Sequence, residues 1–167
     1  MPKTQGARAQ VRSAAVKELG TFSGMGGHVP GSIERIVTRM THRVIHPSNA
    51  PAPAGPYSPA VVFDRLVFVA GQGARTTDTH ELAGMDIETQ TEQTLKNVQT
   101  ILEASGSSLQ HVLKVSVFLI DISEFSRMNA VYARLFGDHR PARTTIQAAA
   151  LPAPGLRVEI DCIAYVP

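Results

Sequence analysis

The stretch RPARTTIQAAALPAPGLRVEI, residues 140–160, contains two isolated charged residues, Arg143 and Glu159, whose side chains could carry out chemistry on a small molecule. Arg143 lies in the first of two alternating runs, Glu159 lies in the second, and a Pro/Gly-rich break separates the runs. The planar fork of an arginine can hold a carboxylate through two parallel hydrogen bonds. A glutamate at hydrogen-bond distance can orient a water molecule and transfer protons.

Strand alternation decides which side chains can share a site with these two charges. Side chains alternate across a strand, so Arg143 shares a face with Thr145, and Glu159 lies opposite an apolar face. That apolar face is formed by Val158, Ile160, Cys162 and Ala164. If the two strands are close in the sheet, Arg143 and Glu159 can border one polar pocket. The alternative is a surface ion pair worth about 0–1 kcal/mol, and the pattern alone favours that alternative.

The elements that must position these residues form a mixed pattern of strands and helices. Strands are expected at 42–46, at 60–71 with a tight turn at Asp64-Arg65, at 111–122, and near 142–149 and 157–166. The continuous β-branched run at 111–122 predicts a central strand covered on both faces. The order from Met40, β-β-β-α-β-α-β-β, predicts an α+β fold with one mixed sheet and both helices on one face.

Capping residues and apolar spacing predict the two helices. Asp86 can cap a helix through about Ser105, and Gly106 can end it. Ser123 is expected to cap a second helix that ends at Gly137. The buried stripe of the first helix is Ile87, Thr91, Leu95, Val98 and Leu102. The core-facing residues of the second are Phe125, Met128, Tyr132 and Leu135.

Composition divides the chain of 167 residues into two parts. Residues 1–39 hold 6 basic and 2 acidic residues, a net charge of +4, whereas residues 40–167 hold 10 basic and 12 acidic residues, a net charge of −2. We expect 1–39 to be a flexible extension or leader and 40–167 to be the folded domain. The mildly acidic charge of residues 40–167 argues against a nucleic-acid surface on the folded domain. No run approaches the about 18 apolar residues of a membrane span, and the single cysteine, Cys162, fits a reducing compartment such as the cytoplasm.

Four stretches follow one another between Arg43 and Val166: NAPAPAGPYSPAV, VFVAGQ, residues 90–137 and RPARTTIQAAALPAPGLRVEI. Together they resemble the YjgF/RidA family of reactive-intermediate (enamine/imine) deaminases. NAPAPAGPYSPAV is similar to the opening Asn-Ala-Pro…Gly-Pro-Tyr of the family, and VFVAGQ to its Ser-Gly-Gln strand end. Residues 90–137 resemble its two helices and central strand. RPARTTIQAAALPAPGLRVEI resembles its closing Pro-Ala-Arg, Leu-Pro and apolar-Glu-apolar signature.

The resemblance implies a chorismate-mutase-like fold assembled as a homotrimer with clefts between subunits. It implies that Arg143 binds the substrate carboxylate, that Glu159 is catalytic, and that Tyr57, Gly71 and Thr145 line the site. The implied reaction is the hydrolysis of 2-enamino or 2-imino acids to 2-keto acids and ammonia. That chemistry requires no metal and no cofactor.

Departures from the family pattern and other functions of relatives keep alternatives open. Ala70 stands where many members have serine, and Thr144 and Thr145 replace a small residue and a cysteine, which leaves the substrate preference open. An aminomuconate-type deaminase is a variant of the same chemistry. The alternative class is an RNA-directed translation inhibitor, an endoribonuclease or a chaperone-like binding protein.

Overall fold

Six strands form one sheet in the computed structural model, which describes residues 42–167. Their order across the sheet is β1-β2-β3-β6-β4-β5, so the last strand of the chain lies in the interior. The strands are β1 (His42–Ile45), β2 (Ala60–Phe63), β3 (Leu66–Gln72), β4 (Val112–Leu119), β5 (Ala142–Gln147) and β6 (Val158–Tyr165).

The first three strands pair antiparallel, with a tight turn between β2 and β3 at Asp64, whose φ is 54°. β4 pairs antiparallel with β6 and parallel with β5. Parallel neighbours need a crossover connection, usually helical, and the second helix supplies it between β4 and β5.

Helix α1 (Ile87–Ala104) begins and ends where the sequence predicts. The Asp86 carboxylate accepts a hydrogen bond from the Thr89 N–H at 2.8 Å. Gly106 follows the helix with a φ of 85°, a left-handed conformation that glycine adopts without steric cost. All five residues of the predicted stripe are buried.

Helix α2 (Phe125–Phe136) begins later than predicted. A 3₁₀ turn over Ile122–Glu124 precedes it, and the Asp121 carboxylate accepts from the Ser123 N–H, so the prediction that Ser123 caps the helix was wrong. Gly137 follows the helix, as expected. Met128 and Tyr132 are buried, whereas Phe125 is 36% exposed. The prediction that Phe125 belongs to the core was therefore also wrong.

The hydrophobic core lies on one face of the sheet, beneath both helices. Strand residues of that face, among them Val67, Val115, Val117, Ile160 and Cys162, are at most 2% exposed. The mixed sheet with two helices on one face is the fold expected from the sequence.

The opposite face of the sheet, which we call the open face, remains partly exposed in the single chain. Phe118 and Ser116 of β4 point to it and are only partly buried. The prediction that β4 is covered on both faces is therefore wrong for one chain. The large apolar residues of this face are each 38–49% exposed: Val44, Phe63, Leu66, Phe68 and Ile146.

Two further expectations from the sequence concern residues 1–39 and a membrane span. The predicted extension, 1–39, lies outside the described residues, so its flexibility stays a prediction. Within residues 42–167, no helix is both long enough and apolar enough to cross a membrane.

Candidate functional site

Arg143 lies on the helix side of β5, which is an edge strand. Its register partner on β4 is the buried Val115, and side chains of paired residues in a parallel ladder point to the same face. Arg143 is therefore directed beneath α2, at the margin of the core, where it is partly buried.

Three side chains of α2 surround the Arg143 guanidinium. Its Nη2 donates to the Asn129 Oδ1 at 2.8 Å, and its central carbon lies 4.5 Å from the centre of the Tyr132 ring and 5.6 Å from that of Phe125. Both ring distances are within the about 6 Å of a cation–π contact. Burial raises the pKa of Tyr132 to about 12, so its ring faces the arginine as a neutral phenol.

Arg143 makes no ion pair with any described residue. In contrast, Arg127 and Arg134 of α2 each bind a glutamate of α1, at 2.6 and 2.7 Å. Of the five N–H donors of a guanidinium, the Arg143 bond to Asn129 uses one. The remaining donors can bind an anion.

Thr145 follows Arg143 on the same face of β5. Its Oγ1 is buried and has no hydrogen-bond partner within residues 42–167. Because a buried hydroxyl without a partner costs about 1–3 kcal/mol, this atom is available to a ligand or to another chain. Arg143, Thr145 and the three α2 side chains around the guanidinium form what we call the arginine half-site.

Glu159 lies on the open face, beside Gly71 of β3. A Cβ at Gly71 would lie 2.2 Å from the Glu159 Oε1, so only glycine leaves room for the carboxylate there. Burial raises the pKa of Glu159 above its ordinary value, and the charge of Asp161, two residues along the same face, raises it further. A glutamate whose pKa moves towards neutral pH suits proton transfer.

Tyr57 belongs to the Pro-rich segment that precedes β2. The Pro59 carbonyl accepts a hydrogen bond from the Ala70 N–H at 2.9 Å, which fixes this segment beside the end of β3. The Tyr57 hydroxyl accepts from the Ala54 N–H, and the residue is 48% exposed. We call Glu159 and Gly71 the glutamate half-site, and a contact of Tyr57 with it stays a prediction.

A single chain does not bring the two charges together. β4 lies between β5 and β6, and Glu159 pairs with Phe118, whose side chain points to the open face, away from Arg143. One pocket bordered by both residues is therefore not formed within one chain. The surface ion pair is not formed either, because the two side chains lie on opposite faces of the sheet.

Two other sequence-based interpretations concern cysteine and metal ligands. Cys162 is buried on the core face, as expected for a structural thiol, and burial raises its pKa to about 12. No group of three or more potential metal-ligating side chains occurs within the described part of the chain.

Sequence reasoning missed the role of α2 around Arg143. Phe125, Asn129 and Tyr132 recur at i, i+4 and i+7, which places them on one face of a helix. The spacing of the two aromatic residues predicts core positions, and from the sequence Asn129 could cap a neighbouring loop as easily as contact a ligand. The signal that could have found them is the polar residue at the centre of an otherwise aromatic stripe.

Comparison with known proteins places this chain in a family. The family model described as Endoribonuclease L-PSP matches residues 47–166. The chain belongs to that family, the YjgF/RidA family. A RutC family protein of Pyrococcus horikoshii is 46% identical over 122 residues, which cover 73% of this chain and 96% of the relative. The human 2-iminobutanoate/2-iminopropanoate deaminase is 37% identical over 128 residues, covering 77% and 93%.

Solved YjgF/RidA structures show the same fold. The Escherichia coli YjgF gene product has a TM-score of 0.71 at 34% identity, over 75% of this chain and 99% of that one. Escherichia coli TdcF with bound serine has a TM-score of 0.70 at 33% identity, over 74% and 98%. Family members thus include proteins named as deaminases, and the resemblance expected from the sequence is confirmed at the level of the family.

Proposed function

We propose that this protein hydrolyses 2-imino acids, and the 2-enamino acids that tautomerise to them, to 2-keto acids and ammonia. The observation that carries the proposal is the state of Arg143. Its guanidinium is partly buried and held by three side chains of α2, yet none of them is a carboxylate. A positive charge so placed is suited to the carboxylate of a small organic acid.

The two charged residues have complementary roles in this reaction. Arg143 binds the carboxylate and thereby fixes the plane of the adjacent C=N bond. Glu159 accepts a proton from the water that attacks the imine carbon and passes it to the nitrogen, which gives the carbinolamine. The proton of the carbinolamine hydroxyl is then transferred through Glu159 to the nitrogen as the C–N bond breaks and the C=O bond forms. The net reaction consumes one water and releases ammonia and the keto acid. For an enamine, the protonated Glu159 first supplies a proton to carbon.

A complete site then requires two copies of the chain. The arginine half-site and the glutamate half-site lie on opposite faces of the sheet, so a contact that joins them is heterologous, and heterologous contacts can close into rings. The half-exposed apolar residues of the open face are what such an interface would cover. We infer a homotrimer with three sites between subunits, as the family resemblance implies.

The names of relatives support the substrate class. Human and goat proteins at 37% and 39% identity are named 2-iminobutanoate/2-iminopropanoate deaminase. The serine bound to TdcF is an amino acid with the same carboxylate that Arg143 would hold. Gly71, Tyr57 and Thr145 would line the site, and the threonine at 145 would contribute its unpaired hydroxyl.

The test is keto-acid release from imines that an amino-acid oxidase generates in the cuvette. Losing a charged hydrogen-bonding partner costs about 1.5–3 kcal/mol, so we expect Arg143→Ala to lower kcat/KM by about 10- to 150-fold. Arg134→Ala is the matched control, because it removes an arginine of α2 whose partner is Glu92. Unchanged imine hydrolysis in Arg143→Ala, with the assembly intact, would exclude the proposal.

The same preparations decide the alternative that the family description raises. An endoribonuclease would degrade RNA at a rate that Arg143→Ala and Glu159→Gln both change. The proposal expects no RNA cleavage that depends on these residues, because the charge of residues 40–167 is −2 and an RNA platform needs a basic surface.

A further inference from the structure

We propose that the Tyr132 ring, together with Phe125, is a positioning device that fixes the guanidinium plane of Arg143 for carboxylate binding. The inference rests on the proposed function, because it concerns how the carboxylate-binding arginine reaches its working geometry. It assigns to two aromatic residues of α2 a role in binding that a core residue does not have.

The first observation is the placement of the rings. Phe125 and Tyr132 are seven residues apart on α2, so they lie on one helix face, with Asn129 between them. The guanidinium lies over both rings, at 4.5 Å from Tyr132 and 5.6 Å from Phe125. Asn129 accepts one N–H at 2.8 Å. Ring contacts limit tilting of the guanidinium, and the hydrogen bond limits its rotation.

The second observation is the Tyr132 hydroxyl, which is buried without a hydrogen-bond partner within residues 42–167. A buried tyrosine hydroxyl usually finds a partner, so this tyrosine is not placed by its polar end. Its ring stacks on Phe136 on one side, at 4.3 Å between centroids, and lies near Arg143 as well. Because the nearby Arg143 acts against the burial-induced rise in the pKa of the Tyr132 hydroxyl, the contributions of ring and hydroxyl have to be separated by substitution.

The physical gain is in conformational entropy. An arginine side chain has many rotamers, and a free arginine would lose part of that rotamer entropy each time a carboxylate binds. Holding the guanidinium in advance removes that loss from binding. Tyr132, Phe125 and Asn129 hold the guanidinium without an acidic residue, which would compete with the substrate carboxylate for it.

The hydroxyl and the ring can be separated by substitution. Tyr132→Phe keeps the ring and removes only the unpartnered hydroxyl, whereas Tyr132→Leu removes the ring. Phe136→Leu is the matched control, because it removes an aromatic residue of the same stack that makes no cation–π contact with Arg143. Stability losses common to both leucine variants are thereby distinguished from loss of the ring contact with Arg143.

The measurement is the affinity of the intact assembly for 2-oxobutanoate by calorimetry, beside imine hydrolysis. A desolvated cation–π contact contributes about 1–2 kcal/mol, so Kd should rise about 5- to 30-fold in Tyr132→Leu. Tyr132→Phe, which keeps the ring, should bind more tightly than Tyr132→Leu, and Phe136→Leu should stay within about twofold of the unsubstituted protein. In NMR spectra the Arg143 Nε–H signal, identified by its loss in Arg143→Lys, should show restricted motion in Tyr132→Phe and not in Tyr132→Leu.

The outcomes separate the two proposals. If the unsubstituted protein binds the keto acid and hydrolyses imines but Tyr132→Leu binds equally well, the positioning role is wrong and the proposed function stands. If Phe136→Leu weakens binding as much as Tyr132→Leu, the effect is general to the helix and the positioning role is also wrong. If the unsubstituted protein neither binds the keto acid nor hydrolyses imines, both proposals are wrong.

Discussion

Substitution of Gly71 by alanine tests whether the glutamate half-site works as described. An ideal Cβ at this position lies 2.2 Å from Oε1, 2.9 Å from Cδ and 3.2 Å from Cγ of Glu159. Gly71 is not among the glycines with positive φ, so its backbone accepts alanine. The substitution therefore acts on the carboxylate and leaves the strand in place.

The size of the effect follows from these distances. Real Cβ atoms do not approach within 3.0 Å, so the carboxylate oxygen must retreat by at least 0.8 Å, the difference between 3.0 and 2.2 Å. Misplacing a reacting group by about 1 Å can cost about 100-fold in rate. We expect kcat/KM to fall about 100-fold, or about 2.7 kcal/mol. The free energy of unfolding should change little, because the flexible Glu159 side chain can move aside. Alanine also lowers the conformational entropy of the unfolded chain, which stabilises the fold by about 0.4–1 kcal/mol.

The assay is imine hydrolysis with thermal unfolding measured on the same samples. Gly73→Ala is the control, since its Cβ would lie 2.8 Å from a Leu156 methyl and not near Glu159. It should lose stability and retain its activity per folded molecule. A double-mutant cycle with Glu159→Gln adds the mechanism, because Gly71→Ala should have little further effect once the carboxylate is gone. Full activity in Gly71→Ala, or full additivity in the cycle, would refute the reasoning.

Three further predictions follow from other contacts. Because burial raises the pKa of Glu159, its carboxyl group binds a proton more tightly in the folded protein than in the unfolded chain, and stability falls as pH rises from the unfolded-state to the folded-state pKa. Glu159→Gln should therefore raise Tm at pH 7, give no gain in Tm at pH 3 and abolish imine hydrolysis. An unchanged or lower Tm at pH 7 would contradict this prediction. Arg157 binds the buried Glu124 at 2.7 Å, so Arg157→Met should lower the free energy of unfolding by about 1.5–3 kcal/mol. Arg134→Ala should cost at most about 1 kcal/mol, because its partner Glu92 is more exposed and also binds Lys96. Equal losses in denaturant titrations would contradict the difference in burial. Truncation to Met40 should leave assembly and activity unaltered by light scattering and rate assay, and loss of either would show that 1–39 is needed.

Local signals predicted the elements well because each is encoded in neighbouring residues. Asp86, the apolar stripe of α1 and Gly106 together define both ends of that helix, and the β2–β3 hairpin turns at Asp64 as expected. The prediction for the start of α2 was wrong because Ser123 belongs to a 3₁₀ turn that Asp121 caps, and no side chain caps α2 itself.

The relation between strands was not available from local pattern. β5 and β6 are consecutive in the chain and separated by a Pro/Gly-rich break, yet β6 inserts between β3 and β4. Alternation within each strand was predicted correctly, but which faces of two strands coincide depends on their register with β4. A pocket that holds both Arg143 and Glu159 therefore required the assumption that their strands are close in the sheet with matching faces. The topology does not meet that assumption within one chain.

Subunit mixing tests the central claim, that each site joins Arg143 of one chain to Glu159 of another. The Arg143→Ala and Glu159→Gln proteins, each assembled on its own, should have much reduced activity. When the two variants are unfolded, mixed in equal amounts and refolded together, about one site in four should combine an intact arginine half-site with an intact glutamate half-site. We predict that the mixture recovers about a quarter of the unsubstituted activity. Recovery of none, with mixed assemblies demonstrated by mass spectrometry, would contradict the account.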